Sequence, residues 1–241
     1  MEHEHSVAAI QERLSAGPRQ NYLRDWIYGG IDGSVTTFAV VTGVVGAHLA
    51  PVVIVIMGCA NLMGDGFSMA ASNFLGTKSE HDDIKRLEAI ERRHIEMAPE
   101  GEREEVRQIF AAKGFAGHDL ERIVELITSD PERWVRTMLT EEYGLPLQPR
   151  SAWIAAVTTF SAFALCGLVP LLPFLIGISR PFIVSMILTG AVFFAIGSVK
   201  SRWSMVSWWR SGVSTLLVGG IAAGLAYAVG VLLKTLVSAQ V

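Results

Sequence analysis

WIYGGIDGSVTTFAVVTGVVGAHLAPVVIVIMGCANLMGDGFSMAASNFLGT, residues 26–77, contains two acidic residues, Asp32 and Asp65, and no Lys or Arg. A membrane span needs about 20 apolar residues. The stretch is too long for one span and fits two. A carboxylate at the centre of a bilayer costs about 3 kcal/mol on insertion scales. Two of them kept there without a basic neighbour point to a chain that binds or moves a cation.

The whole chain has 241 residues. Hydrophobic residues make up 51% and charged residues 18%, below the roughly 25% charged residues of a soluble domain. The charge is unevenly placed. Residues 78–150 hold twelve Lys/Arg and seventeen Asp/Glu, and no acid follows Arg150. This is the pattern of a membrane protein with one polar insert. The net charge of -3 argues against a nucleic-acid partner. Cys59 and Cys166 lie in apolar segments and read as small buried hydrophobes without disulfide or redox spacing. The first twenty residues have no apolar core, so they do not read as a signal peptide.

Five spans are expected: 26–49, 51–75, 152–178, 181–199 and 212–233. Pro51 with Ala47 and His48 forms a tight turn between the first two, and Pro170 and Pro173 kink or end the third. Lys and Arg mark the cytoplasmic side. They cluster at Arg13, Arg19 and Arg24, in the insert, and at Lys200, Arg202 and Arg210, against Arg180 and Lys234 on the other side. The expected topology places the N-terminus and insert in the cytoplasm and the C-terminus outside. The expected organisation is residues 1–25 as an N-terminal segment, 26–77 as spans one and two, 78–150 as a cytoplasmic helical metal-binding domain, and 151–241 as spans three to five.

Asn61, Asp65, Met69 and Asn73 are spaced by four, which puts them on one helical face. Ser68 and Ser72 flank the stripe. In the first span Asp32 and Thr36 share a face, and Gly29 and Gly33 form a GxxxG pair that permits close helix approach. In antiparallel helices rising about 1.5 Å per residue, Asp32 and Met69 each lie about six residues from the cytoplasmic end. They therefore match in depth, with Asp65 about one turn deeper. Oxygen ligands alone suit Ca²⁺ or Mg²⁺, whereas a thioether among them favours Fe²⁺, Mn²⁺ or Co²⁺. Packing by Met69, and protonated carboxyls bonded to neighbouring helices, are the structural alternatives.

The insert reads as four helices: the continuation of span two to Ile95, then 100–113 closed by Gly114, 117–128, and a last one capped by Asp130, begun by Pro131 and ended at Gly144. Glu88, Glu91 and His94 step by three along the first. Glu102 and Glu105 do so on the second, and Glu141 and Glu142 follow Met138 on the last. Facing Glu-x-x-Glu/His pairs have the layout of carboxylate metal bundles. The alternative is a solvated charged face paired with residues such as Arg92 and Arg103. Glu2, His3, Glu4 and His5 read as a polar terminus or a loose metal-binding tail.

RDWIYGGIDGSVTTFAVVTGVVGA (24–47), DGFSMAASNFLGTKSE (65–80), the insert and GLVPLLPF (167–174) together resemble the vacuolar iron transporter family over nearly the whole chain. The resemblance implies an all-α membrane protein with five transmembrane helices and a cytoplasmic metal-binding insert between the second and third. It also implies a homodimer with its pore between the two first helices, and export of Fe²⁺ and related ions in exchange for protons. By position, Asp32 is the implied pore carboxylate and Met69 the pore thioether. Glu91, Glu102, Glu105, Met138 and Glu142 are the implied insert ligands. His94 stands where the family has glutamate, and Leu139 where it has a second methionine. Asp65, Asn61, Thr36, Glu88 and Glu141 rest on spacing.

The expectation is therefore a proton-coupled exporter, not an enzyme, in a bacterial inner membrane. Its cargo is Fe²⁺ or Mn²⁺, with Co²⁺ and Zn²⁺ as further candidates, and no permanent cofactor is expected. The rivals are a membrane-anchored iron-binding or ferroxidase module without transport, and a proton or small-molecule transporter whose insert only regulates.

Overall fold

The computed structural model of the chain describes residues 4, 6–16, 20–146 and 149–238. Glu2, His3 and His5 of the proposed tail lie outside them, as does Arg19. The described residues are helical and contain no strand. In order they form α1 (Val7–Ala16), α2 (Leu23–Gly46), α3 (Pro51–Met97), α4 (Pro99–Ala112), α5 (Gly117–Thr128), α6 (Pro131–Glu141), α7 (Ala152–Leu168), α8 (Leu172–Leu175), α9 (Pro181–Lys200) and α10 (Trp208–Ser238). Short 3₁₀ turns follow α7 and α9. Five of these segments are long and apolar enough to cross a membrane: Leu23–Gly46, Pro51–Met97, Ala152–Leu175, Pro181–Trp203 and Trp208–Leu236. The protein is an all-helical membrane protein.

The chain divides into two compact units. One comprises Asn21–Leu75 with Ala152–Val241, and the other Met1–Gln20 with Gly76–Ser151. α3 contributes residues to both.

In the first unit α2 is the central helix, and small residues let its neighbours come close, as expected where apolar side chains gain little by leaving lipid. A Cβ on Gly29 would lie 2.3 Å from Thr159 O, and one on Gly33 2.3 Å from Phe163 O. The GxxxG pair is thus the seat of α7. Above it a core forms from Phe38, Val41, Val44, Ile54, Leu62, Phe163 and Leu171. The turn after α2 closes when His48 takes φ 58, with Leu49 N–H bonded to Val44 O and His48 N–H to Val45 O. At Pro170 the third span breaks into a 3₁₀ turn, Val169–Leu171. The Ser185 hydroxyl donates to Pro170 O at 2.7 Å, satisfying a carbonyl that continuous helix would have used. The fifth span is longer than expected at both ends, because Trp208 and Trp209 and the residues after Leu233 continue the helix.

Cys166 is buried, but Cys59 is exposed. It sits on the face of α3 that also presents Val52, Ile56, Met63 and Phe67 outward. An apolar residue of a span can meet lipid as well as protein, so apolar surroundings in the sequence do not imply burial for Cys59.

In the second unit, α4, α5, α6 and the C-terminal half of α3 enclose Val106, Val124, Ile127, Trp134 and Met138, with Ile95, Ile109 and Phe110 packed around them. Asp130 caps α6 by accepting from Arg133 N at 2.8 Å, and Pro131 occupies the first turn. α6 ends at Glu141, three residues short of the expected Gly144. Met138 O receives N–H groups from both Glu142 and Tyr143, and Leu145 N–H returns to Leu139 O. Gly144 closes the turn at φ 65.

Candidate metal centre

The i, i+3 spacing of Glu91 and His94 turns both toward the side of α3 that meets α4. Glu102, one turn into α4, meets them after the reversal at Ala98–Pro99. His94 Nδ1 lies 3.3 Å from Glu102 Oε1 and 3.9 Å from Glu91 Oε1. One ligand atom from each of the three residues falls within 4.8 Å of the others. The carboxylates are buried, Glu91 at 1% and Glu102 at 5% exposure, while the imidazole is half exposed. The cluster therefore has a dry floor and one open edge.

Glu91 Oε2 and Glu102 Oε2 are buried without a hydrogen-bond partner. A buried polar group without a partner is costly, and a charged one more so. Among the described residues, none of Glu91, Glu102, Glu105 and Glu142 pairs with Lys or Arg. Glu105 and Glu142 are exposed, yet their charges reach the cluster. Burial above all, then the charges of Glu105 and Glu91, pushes Glu102 up to about 7. Glu142 is raised too, by the partial desolvation of its carboxyl against the cluster and then by the charges of Glu91 and Glu105. The site gathers like charges around one imidazole, an arrangement that a divalent cation would balance. Carboxylates with one imidazole suit a divalent ion on the Fe²⁺ to Zn²⁺ side of the series better than Mg²⁺ or Ca²⁺.

Tyr143 completes the floor. Its hydroxyl donates to Glu91 Oε1 at 2.9 Å. Burial and this bond hold its proton on more tightly than in a free phenol, so it serves as a donor and not as a phenolate ligand. Nothing in the sequence distinguishes this tyrosine, because its role depends on the turn that ends α6.

The other acids of the insert are placed differently. Glu88 pairs with Arg92, which also clamps Glu132 at 2.7 Å. Glu141 pairs with Lys113. Arg107 bridges Glu104 and Glu121, and Arg103 lies 5.9 Å from the Trp134 ring. These form the solvated charged face. Met138 is wholly buried in the apolar core.

In the membrane unit the polar stripe of α3 meets α2. Asn61 Nδ2 donates to Thr36 Oγ1 at 3.2 Å, and that hydroxyl donates to Asp32 O at 2.8 Å. Asp32 is half-buried and Asp65 exposed, close enough for their charges to interact. Met69 is partly buried and packs on the core around Phe38 and Leu62. Asn73 bonds to Asp25 Oδ1 at 3.0 Å and to Thr159 Oγ1 at 2.7 Å, joining α3 to α2 and α7. Asp25, at 4% exposure, is a third carboxylate in these spans and the most deeply buried of the three. It lies one residue before the uncharged stretch and next to Arg24, where it reads as a flanking charge. Its separation of seven from Asp32, two helical turns on one face, was the available signal.

The model of the VIT family matches residues 23–231 of the chain. The chain is 32% identical over 208 residues to vacuolar iron transporter 1 of Eucalyptus grandis, covering 85% of this chain and 84% of the relative. It is 30% identical over 208 residues to vacuolar iron transporter 1 of Arabidopsis thaliana, covering 85% and 83%. It is 28% identical over 232 residues to the vacuolar iron transporter of Toxoplasma gondii, covering 91% and 77%.

Proposed function

The chain belongs to the VIT family, and we propose that it is a metal-ion transporter that exports Fe²⁺ or Mn²⁺ from the cytoplasm in exchange for protons. One observation carries this reading furthest. Buried, unpartnered carboxylate oxygens of Glu91 and Glu102 surround His94 in a chain whose spans hold further carboxylates. The relatives' names supply iron as the first candidate cargo.

In this proposal residues 78–150 form a cytoplasmic domain that collects the ion. Glu91, His94 and Glu102 bind it, with Glu105 and Glu142 supplying negative potential at the open edge. Asp32, Thr36, Asn61, Asp65 and Met69 line its passage through spans one and two, in a homodimer whose pore runs between the two α2 helices. Residues 1–25 flank the first span, and 151–241 supply the remaining three. The N-terminus is cytoplasmic and the C-terminus outside, following the bias of Lys and Arg.

Competition between metal and protons at the ligands supports the exchange reading. A carboxylate that binds metal must release its proton, and protonation expels the metal. Glu102, titrating near 7, makes this competition effective at neutral pH.

The test is proteoliposomes containing a pH-sensitive dye, with Fe²⁺ or Mn²⁺ added outside. Metal entry should be accompanied by proton exit, and Asp32→Ala should abolish both. Metal entry without a pH change would refute exchange, and flux unchanged in Asp32→Ala would refute the pore assignment. A membrane-anchored ferroxidase would instead oxidise Fe²⁺ without any flux.

A further inference from the structure

The hairpin between α9 and α10 carries chemistry that cargo binding does not use. Its sequence, KSRWSMVSWWR, residues 200–210, holds three cations and three tryptophans, and residues 151–241 contain no acid. Lys200, Arg202 and Arg210 form no ion pair among the described residues. Trp203, Val206, Trp208 and Trp209 are half or more exposed, and Met205 is fully exposed.

The hairpin is firmly built despite this exposure. A Cβ on Gly197 would lie 2.5 Å from Ser211 O, and one on Gly212 2.7 Å from the Phe194 ring, so the two helices touch at its base. Phe194 meets Trp208 edge-on at 5.9 Å. The Arg210 guanidinium lies 5.3 Å from the Trp209 ring. Only Ser204–Ser207 separate the 3₁₀ turn, Ser201–Trp203, from α10, so the segment joining two spans has no length to leave the membrane surface.

We propose that Lys200–Arg210 is a binding surface for anionic phospholipid headgroups. The tryptophan rings lie at headgroup depth, where an apolar body and a polar edge are both accommodated. Lys200, Arg202 and Arg210 meet lipid phosphates, since none of them is engaged in an ion pair among the described residues. A soluble protein partner would satisfy the cations, but it would leave the exposed rings and Met205 at the bilayer surface unexplained. The proposal is independent of which ion is carried.

The experiment uses the full chain in mixed micelles of detergent and phosphatidylcholine, titrated with brominated phosphatidylglycerol or brominated phosphatidylcholine, with quenching of tryptophan fluorescence as the readout. Phosphatidylglycerol should quench at much lower mole fraction. Each of Lys200→Gln, Arg202→Gln and Arg210→Gln should reduce that preference by about fivefold. Arg180→Gln, at the other end of α9, should leave it intact. Trp203→Phe with Trp209→Phe should diminish the component quenched at low lipid, leaving the part due to Trp208, without altering elution or helicity. Equal quenching by the two lipids would overturn the proposal. So would a preference that survives loss of all three cations, or one lost equally in Arg180→Gln.

Discussion

Tyr143 donates its hydroxyl proton to Glu91 Oε1 at 2.9 Å, tying the turn after α6 to the buried face of α3. Glu91 is thereby held at one oxygen while Oε2 stays unpartnered. A ligand carboxylate fixed by a donor behind it binds metal more tightly than one free to rotate, and loss of such a donor typically costs 10–100-fold in affinity. Tyr143→Phe should weaken Co²⁺ or Mn²⁺ binding by about that factor in calorimetry on the full chain. Combined with Glu91→Gln it should add little further. Additive losses would show that Tyr143 does not act through Glu91.

The metal-free protein should lose stability as pH rises. Glu102 titrates near 7 when folded, above its ordinary 4.5, so the folded state holds this proton more tightly than the unfolded state does. Its contribution is fully present below about 4.5, falls through the interval and is gone above about 7. Thermal unfolding of metal-free protein between pH 5 and 8 should show this slope, and Glu102→Gln should flatten it. Metal binding should have the opposite trend, weakening as protons compete. A slope unchanged in Glu102→Gln would assign it to other groups.

Asn73 holds Asp25, Thr159 and the α3 stripe together. Asn73→Leu removes a donor to the buried Asp25 carboxylate and two bonds to α7. Hydrogen bonds between spans are worth about 1 kcal/mol or less each. A loss of about 1–3 kcal/mol is expected in unfolding from detergent. Asn73→Gln, which can still donate, should recover part of it.

Gly33 tolerates no side chain, because its Cβ would fall 2.3 Å from Phe163 O and 2.8 Å from Phe163 Cα. These are backbone atoms and cannot swing away. Gly33→Ala should destabilise the membrane unit by about 1–3 kcal/mol. Gly64→Ala, where a Cβ meets nothing within 4 Å, should have no such effect. Equal effects would remove the case for close α2–α7 contact.

The spans were legible because a bilayer demands long apolar runs and punishes charge, a signal that needs no tertiary context. The break at Pro170 and the cap at Asp130 were legible for similarly local reasons. The roles of the acids were not. Glu88, Glu91 and His94 have equivalent spacing, yet Glu88 turns to Arg92 while Glu91 turns inward. The difference lies in what α4 and α6 bring against each face. GxxxG in α2 was legible as close packing but not as contact with α7. Asp25 and Tyr143 escaped because each draws its surroundings from segments at least 48 residues away.

Flux of Fe²⁺ or Mn²⁺ into dye-loaded proteoliposomes, set against protein-free liposomes, is the decisive measurement. The wild-type chain should accumulate metal faster with an acidic lumen, and Glu91→Gln with Glu102→Gln should raise the metal concentration needed for half-maximal rate. Wild-type flux no greater than that of protein-free liposomes would contradict transport itself.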